Sequence, residues 1–183
     1  SAVPVGQGAM AAILGLSAEE VTALAEEAAQ GDVCQLANEN DPTQNVISGS
    51  KAAVERAIEM AKGKGAKRAL ALPVSAPFHC ALMQPAADEM ADVTLADPSV
   101  PLVANVLAAS VSTADPIAQL LVEQVTGRVR WRSSVEWMVE QGVTEFWEIG
   151  AGKALSGMIR RIHKDAVLRN VGVAADVTAA LEA

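Results

Sequence analysis

The chain has 183 residues, 51% of them hydrophobic, and a formal net charge of −8, enough apolar material for one substantial domain or for a module attached to a larger one. The acidic balance argues against nucleic acid as a partner, because phosphate binding needs a basic face, and no apolar run is long enough to span a bilayer. Cys34 and Cys80 stand far apart with no CxxC, which implies neither a disulfide framework nor a metal site. With no signal peptide ahead of the fold, the reading is a soluble cytoplasmic protein. The opening Ser1-Ala2-Val3, without an initiator methionine, suggests processing or a piece of something longer.

The first half alternates strand and helix signals. Met10 to Leu14 is a short apolar run, and Ser17-Ala18-Glu19-Glu20 has the spacing of a capping box. Val21, Leu24, Ala25 and Ala28 then mark one apolar helix face. Gly31 ends that helix, Val33 to Ala37 reads as a strand, and Asn38 to Thr43 is turn chemistry leading to a second strand at Val46 to Ser48, so a hairpin is predicted. Ser50 can cap a helix carrying Val54, Ala57, Ile58 and Ala61, which Gly63 and Gly65 end, and Lys67 to Val74 is a further strand. The order β-α-β-β-α-β is ferredoxin-like, with both helices on one side of the sheet, and is placed at residues 8–74. An RNA-binding version of that fold stacks bases on sheet aromatics, and residues 8–74 contain none.

Beyond residue 74 the layout is a larger α/β one. Leu82 to Val93 reads as a helix, Val100 to Val106 as a buried parallel strand, and Ile117 to Val125 as a helix. Ser133 and Glu136 have capping-box spacing for another. Glu145 to Ile149 is a strand running into Gly150-Ala151-Gly152-Lys153, which lacks the spacing of either a dinucleotide fingerprint or a P-loop and reads as a tight strand-to-helix turn. A helix through Leu155, Met158, Ile159 and Ile162, a strand at Val167 to Val171 and a helix at Val177 to Leu181 close the chain.

Chemistry concentrates at Leu72-Pro73-Val74-Ser75-Ala76-Pro77-Phe78-His79-Cys80. Pro77 ends the strand near Ser75 and leaves His79, one of two histidines, on the following connection. An imidazole there is a candidate general base; a half-buried histidine bonded to a backbone carbonyl is the plainer alternative. Cys80 reads as a small buried thiol rather than the partner of its neighbour, and Ser75, without a nucleophile elbow, as a backbone-bonded strand end.

The run Pro73 to Met83, together with Asn38-Glu39-Asn40-Asp41-Pro42-Thr43-Gln44, Ser48-Gly49, Val129-Arg130-Trp131 and Glu148-Ile149-Gly150-Ala151-Gly152, closely resembles the malonyl-CoA:acyl carrier protein transacylases over essentially the whole chain. That resemblance implies transfer of malonyl from coenzyme A to the phosphopantetheine thiol of acyl carrier protein, without a cofactor. His79 would be the base, oriented by a backbone carbonyl near Arg130. Phe78, just before it, would line the acyl site and exclude a 2-methyl branch, and Asn38 would border the cleft. It also implies an α/β fold, with residues 8–74 as the small subdomain and residues 1–7 and 75–183 as part of an α/β-hydrolase-like large one.

The departure from the family pattern is that no G-H-S-x-G and no N-terminal G-Q-G-S-Q occurs in these residues. The resemblance therefore implies a nucleophilic serine on a missing N-terminal segment and a chain that is inactive alone. A binding or regulatory module derived from the same family is the competing reading, and a subunit that borrows its serine from another chain is a third.

Overall fold

The computed structural model describes residues 2–90 and 94–182. The chain divides into two compact units, residues 1–134 and residues 135–183. The first contains β1 (Gly8–Leu14), α1 (Ala18–Ala29), β2 (Cys34–Asp41), β3 (Gln44–Ser50), α2 (Lys51–Gly63) and β4 (Arg68–Ala71). These strands form one antiparallel sheet in the order β2-β3-β1-β4, with β1 between β3 and β4. That order and connectivity are ferredoxin-like.

The period-2 alternation of β1 sends Ala11 and Ile13 to the helix-covered face, where they join Val21, Leu24, Ala25 and Ala28 of α1 and Val54, Ala57 and Ala61 of α2. Full burial of Ile13 and Leu24 stabilises the unit by roughly 1.5–3 kcal/mol each. Met10, on the opposite face, meets Ala37 and Val46 in a smaller cluster. The Ser17–Glu20 capping box is formed: the Ser17 hydroxyl accepts from Glu20 N at 3.2 Å, and the Glu20 carboxylate accepts from Ser17 N at 2.7 Å. At the other end of α1 the orphan carbonyls are met from α2, because Arg56 donates to Ala28 O at 2.8 Å and Ala29 O at 2.9 Å and pairs with Asp32.

Several elements differ from the sequence expectations. β2 runs through Asp41, so the Asn38–Thr43 turn shrinks to its last residues, held by Asp41 Oδ1 accepting from Thr43 N and Gln44 N. Ser50 stands at the N-cap of α2 without a side-chain cap bond; instead Lys51 N donates to Gln7 O. The helix expected at Leu82 to Val93 is a 3-10 turn, Ala81–Met83, passing into α3 (Gln84–Glu89), and residues 91–93 lie outside the described ones.

Val100 to Val106 is not a buried parallel strand. Only β5 (Leu102–Ala104) is extended, paired antiparallel with β6 (Ala109–Val111), and Leu102 is exposed. The chain reverses between the two strands, with Ala108 in the left-handed region at φ 57°, which a run of apolar residues does not disclose. α4 (Ala114–Thr126) follows, and then α5 (Trp131–Glu140). Ser133 and Glu136 are not a capping box, since the helix already begins at Trp131 and the Ser133 hydroxyl faces Glu39 Oε2 at 3.4 Å.

In the second unit β7 (Glu145–Ile149) and β8 (Val167–Val171) pair in parallel, with α6 (Ala154–Ile162) between them in sequence and α7 (Ala174–Leu181) after them. The turn at Gly150–Lys153 is the strand-to-helix connection expected. Its helix start is filled by the protein's own anion: the Glu148 carboxylate accepts from Leu155 N at 3.0 Å, Ser156 N at 2.7 Å and Ser156 Oγ at 2.6 Å. A phosphate would find those donors taken.

Candidate active site

His79 sits on the connection after β4, and several independent contacts fix that connection to the sheet. Pro77 is buried and packs so closely on Gly8 that a Cβ there would lie 2.8 Å from the proline Cβ. The Cys80 thiol donates to Pro77 O at 3.2 Å, and Ala81 N donates to the side chain of Gln35 in β2 at 2.8 Å. Between these ties His79 takes the left-handed conformation, φ 59°, an uncommon state for a residue with a side chain and one that surrounding contacts must hold.

The imidazole is half-buried, and its Nδ1 lies 2.9 Å from the carbonyl oxygen of Gln124. A carbonyl can only accept, so Nδ1 carries a proton, and in the neutral ring Nε2 is the nitrogen left with the lone pair. The acceptor belongs to the last turn of α4, where carbonyls have no partner within the helix. Gly127 N closes the preceding turn on Glu123 O, and the Gln124 side chain donates to Gly127 O at 2.9 Å. This corrects the expected acceptor. The orienting carbonyl is Gln124's, while that of Arg130 accepts from Ser134 N at 2.9 Å and Ser134 Oγ at 2.7 Å.

The segment after α4 is laid along β2. Val129 N donates to Ala37 O at 2.8 Å, Glu39 N donates to Val129 O at 2.9 Å, and Asn38 and Val129 form a parallel bridge. Arg128 pairs with Glu39 across the same seam at 2.7 Å. His79 and Arg130 share a cleft of about 390 Å³ that Gln35, Leu36 and Gly127 also line. Asn38 and Phe78 are not among its lining residues: Asn38 is half-buried in β2, and Phe78 is 41% exposed beside His79. Ser75 is exposed on a bend.

Both cysteines are buried. Burial pushes the Cys34 thiol up to about 11, against a lowering by Arg56, and burial likewise raises that of Cys80. Neither is a ready nucleophile near neutral pH. Among the described residues no group of three or more His, Cys, Asp or Glu could hold a metal ion, and no helix is long and apolar enough to cross a membrane.

Gln124, Glu39 and Gln35 are the contributors that sequence reasoning missed. The signal available for Gln124 was Gly127, which marks a helix end and therefore unpaired carbonyls nearby.

A ferredoxin-like unit followed by a connection whose histidine bonds a main-chain carbonyl defines an α/β protein with a fixed imidazole beside its small sheet. No model of a protein family matches the chain. It is 47% identical over 185 residues to the malonyl CoA-acyl carrier protein transacylase of Escherichia coli K12, covering 99% of this chain. An acyl-carrier-protein-S-malonyltransferase from Bartonella henselae superposes with a TM-score of 0.94 at 51% identity over 100% of this chain and 59% of its own. A malonyl-transacylase solved with a type II PKS acyl-carrier protein does so at 0.94 and 43%, over 99% of this chain and 60% of its own. The chain is a homologue of the malonyl-CoA:acyl carrier protein transacylases, and it spans about 60% of the length of the E. coli relative.

Proposed function

We propose that His79 is the general base of malonyl transfer from coenzyme A to the phosphopantetheine thiol of acyl carrier protein, in the cytoplasm, with the nucleophilic serine contributed from outside these 183 residues. The observation that carries the reading is the Nδ1 bond to Gln124 O, which leaves Nε2 free to accept a proton. In the first step Nε2 takes the serine proton as Oγ attacks the thioester carbonyl; the C–S bond breaks and the departing coenzyme A thiolate receives that proton. In the second, Nε2 takes the proton of the carrier thiol and sulfur attacks the malonyl-serine ester; the C–O bond to serine breaks and the serine oxygen receives that proton from Nε2. No cofactor enters either step.

Within this reading residues 8–74 are the small subdomain, and residues 1–7 and 75–183 belong to an α/β-hydrolase-like large one. Among the described residues β7 and β8 form a two-stranded sheet, and the exposure of Trp147 and Ile149, at 48% and 78%, suits a segment that covers them. Phe78, exposed beside His79 and outside the cleft that these residues form, would line the acyl site in the assembled enzyme, and Asn38 would border it. With a single methyl worth about 1–3 kcal/mol in such a pocket, Phe78→Ser in the assembled enzyme should raise methylmalonyl turnover relative to malonyl, and an unchanged ratio would remove Phe78 from the site.

The test is to incubate the chain with radiolabelled malonyl-CoA, alone and with the N-terminal portion of a relative produced separately. Alone it should remain unlabelled. With the added portion, label should appear on the serine and pass to acyl carrier protein, and His79→Gln should stop that passage. Stoichiometric labelling of the chain alone would overturn the proposal and direct attention to Ser75 or Cys80.

A further inference from the structure

The His79 imidazole is oriented by a backbone carbonyl, so its precision depends on whatever fixes the end of α4. Arg128 follows Gln124 by four positions, and that interval is internally braced by Gly127 N on Glu123 O and by the Gln124 side chain on Gly127 O. Beyond it the chain meets β2, and the attachment combines the two backbone bonds of Val129 with one ion pair. Arg128 Nη1 donates to Glu39 Oε1 at 2.7 Å, with side-chain exposures of 31% and 11%, and the other carboxylate oxygen faces the Ser133 hydroxyl. A carboxylate this deeply placed depends on its partner, since removing the arginine would strand a charge away from water.

We propose that Arg128 and Glu39 are positioning residues for His79. Their ion pair pins the segment after α4 against β2 and thereby holds the Gln124 carbonyl where it selects the Nδ1–H tautomer. Neither residue touches the reacting atoms; they act through the braced end of the helix. The proposal rests on the reading of His79 as the base, but the tautomer can be measured without any transfer taking place.

The experiment uses the 183-residue chain with 15N-labelled histidine, at a pH where the imidazole is neutral, and His163→Gln to assign the two rings. Long-range proton–nitrogen spectra report the ratio of Nδ1–H to Nε2–H tautomers at His79. The wild-type ring should be almost wholly Nδ1–H. Arg128→Ala should lower the ratio about fivefold, the factor that corresponds to the net worth of one intramolecular hydrogen bond. Arg128→Lys, which keeps the charge, should restore most of it. Glu39→Gln provides the second variant, with a smaller fall in the same direction, so that a failure of Arg128→Ala to fold leaves the question answerable. Arg56→Met, which breaks an ion pair at the end of α1, is the control and should leave the ratio unchanged.

An unaltered tautomer ratio in a folded Arg128→Ala or Glu39→Gln chain would overturn the proposal, as would an equal fall in the Arg56→Met control. Transfer that survives His79→Gln in the assembled enzyme would instead retire His79 as the base while leaving its positioning by Arg128 and Glu39 intact.

Discussion

Replacing Gly8 by alanine tests whether the His79 connection is as tightly specified as its contacts indicate. No positive φ demands glycine at this position, so the backbone would accept the substitution and the nearest opposition is Pro77. The new Cβ would stand 2.8 Å from the proline Cβ and nearer still to the rest of the ring, whereas carbon atoms rest about 3.5–4.0 Å apart, so the ring must retreat by about 1 Å. Pro77 is rigid, buried and two residues from His79. Carried to the imidazole, the shift lengthens the 2.9 Å bond to Gln124 O to roughly 3.9 Å, outside the range of a hydrogen bond. Overpacking of roughly 1–3 kcal/mol and loss of a bond worth about 1 kcal/mol together put the destabilisation near 2–4 kcal/mol. Urea unfolding measures that cost, and the histidine tautomer ratio reads the lost bond. In the assembled enzyme, a misplacement of this size should slow transfer by on the order of 100-fold. Pro77→Ala in the Gly8→Ala background should recover part of both signals, because it removes the ring atoms that the new methyl meets. A double variant no better than Gly8→Ala alone, or a single variant that keeps its stability and its Nδ1–H tautomer, would show that the connection is not held by this contact.

Three further outcomes follow from the same contacts. Arg56→Met keeps the aliphatic stem but loses the two bonds to the α1 carbonyls and the Asp32 pair; a cost of about 1–3 kcal/mol, discounted because water can reach the freed carbonyls, should appear in urea unfolding together with faster amide exchange at the end of α1. The Cys34 thiol, raised by burial from 9.0 to about 11, holds its proton more tightly folded than unfolded, so its contribution is complete below pH 9 and disappears as pH rises through 11; stability measured between those limits should fall, and an aromatic disulfide reagent at pH 8 should react only after unfolding. Glu148 has its carboxyl lowered, first by the Ser156 hydroxyl and then by the amides of Ser156 and Leu155, so its cap on α6 is intact above the ordinary value of 4.5 and is lost as pH falls through the lower folded value. The amide signals of Leu155 and Ser156 should shift together in that acid window, and Glu148→Gln should abolish the shift.

What could be read from residues alone was what local spacing determines. Ser17 and Glu20 satisfy each other within one turn, so their pattern and their contact are the same fact. Ser133 and Glu136 have identical spacing inside a helix that already began at Trp131, where the pattern means nothing, because helix geometry places any residues three apart on one face. The run from Val100 to Val106 suits a buried strand and a short hairpin equally well, and the left-handed turn at Ala108 decided between them. At the site, the prolines around His79 exposed the histidine to view, but its acceptor is a main-chain oxygen 45 residues away. Any residue can supply a carbonyl, so no side chain could have announced Gln124. Resemblance placed that acceptor on the neighbouring segment, and the end of α4 shows the atom itself.

The distance along the chain between His79 and its acceptor also sets an order of events during synthesis. All four strands and both helices of the ferredoxin-like sheet lie within residues 8–71, so that unit can close while His79 is still leaving the ribosome. Gln124 emerges 45 residues after it, roughly 2–9 s later at ordinary elongation rates, and the Arg128–Glu39 seam then closes a loop of 89 residues. Until that closure the imidazole has no partner to choose its tautomer. The nascent chain therefore carries a folded platform before it carries an ordered imidazole, and an early arrest of translation would release the one without the other.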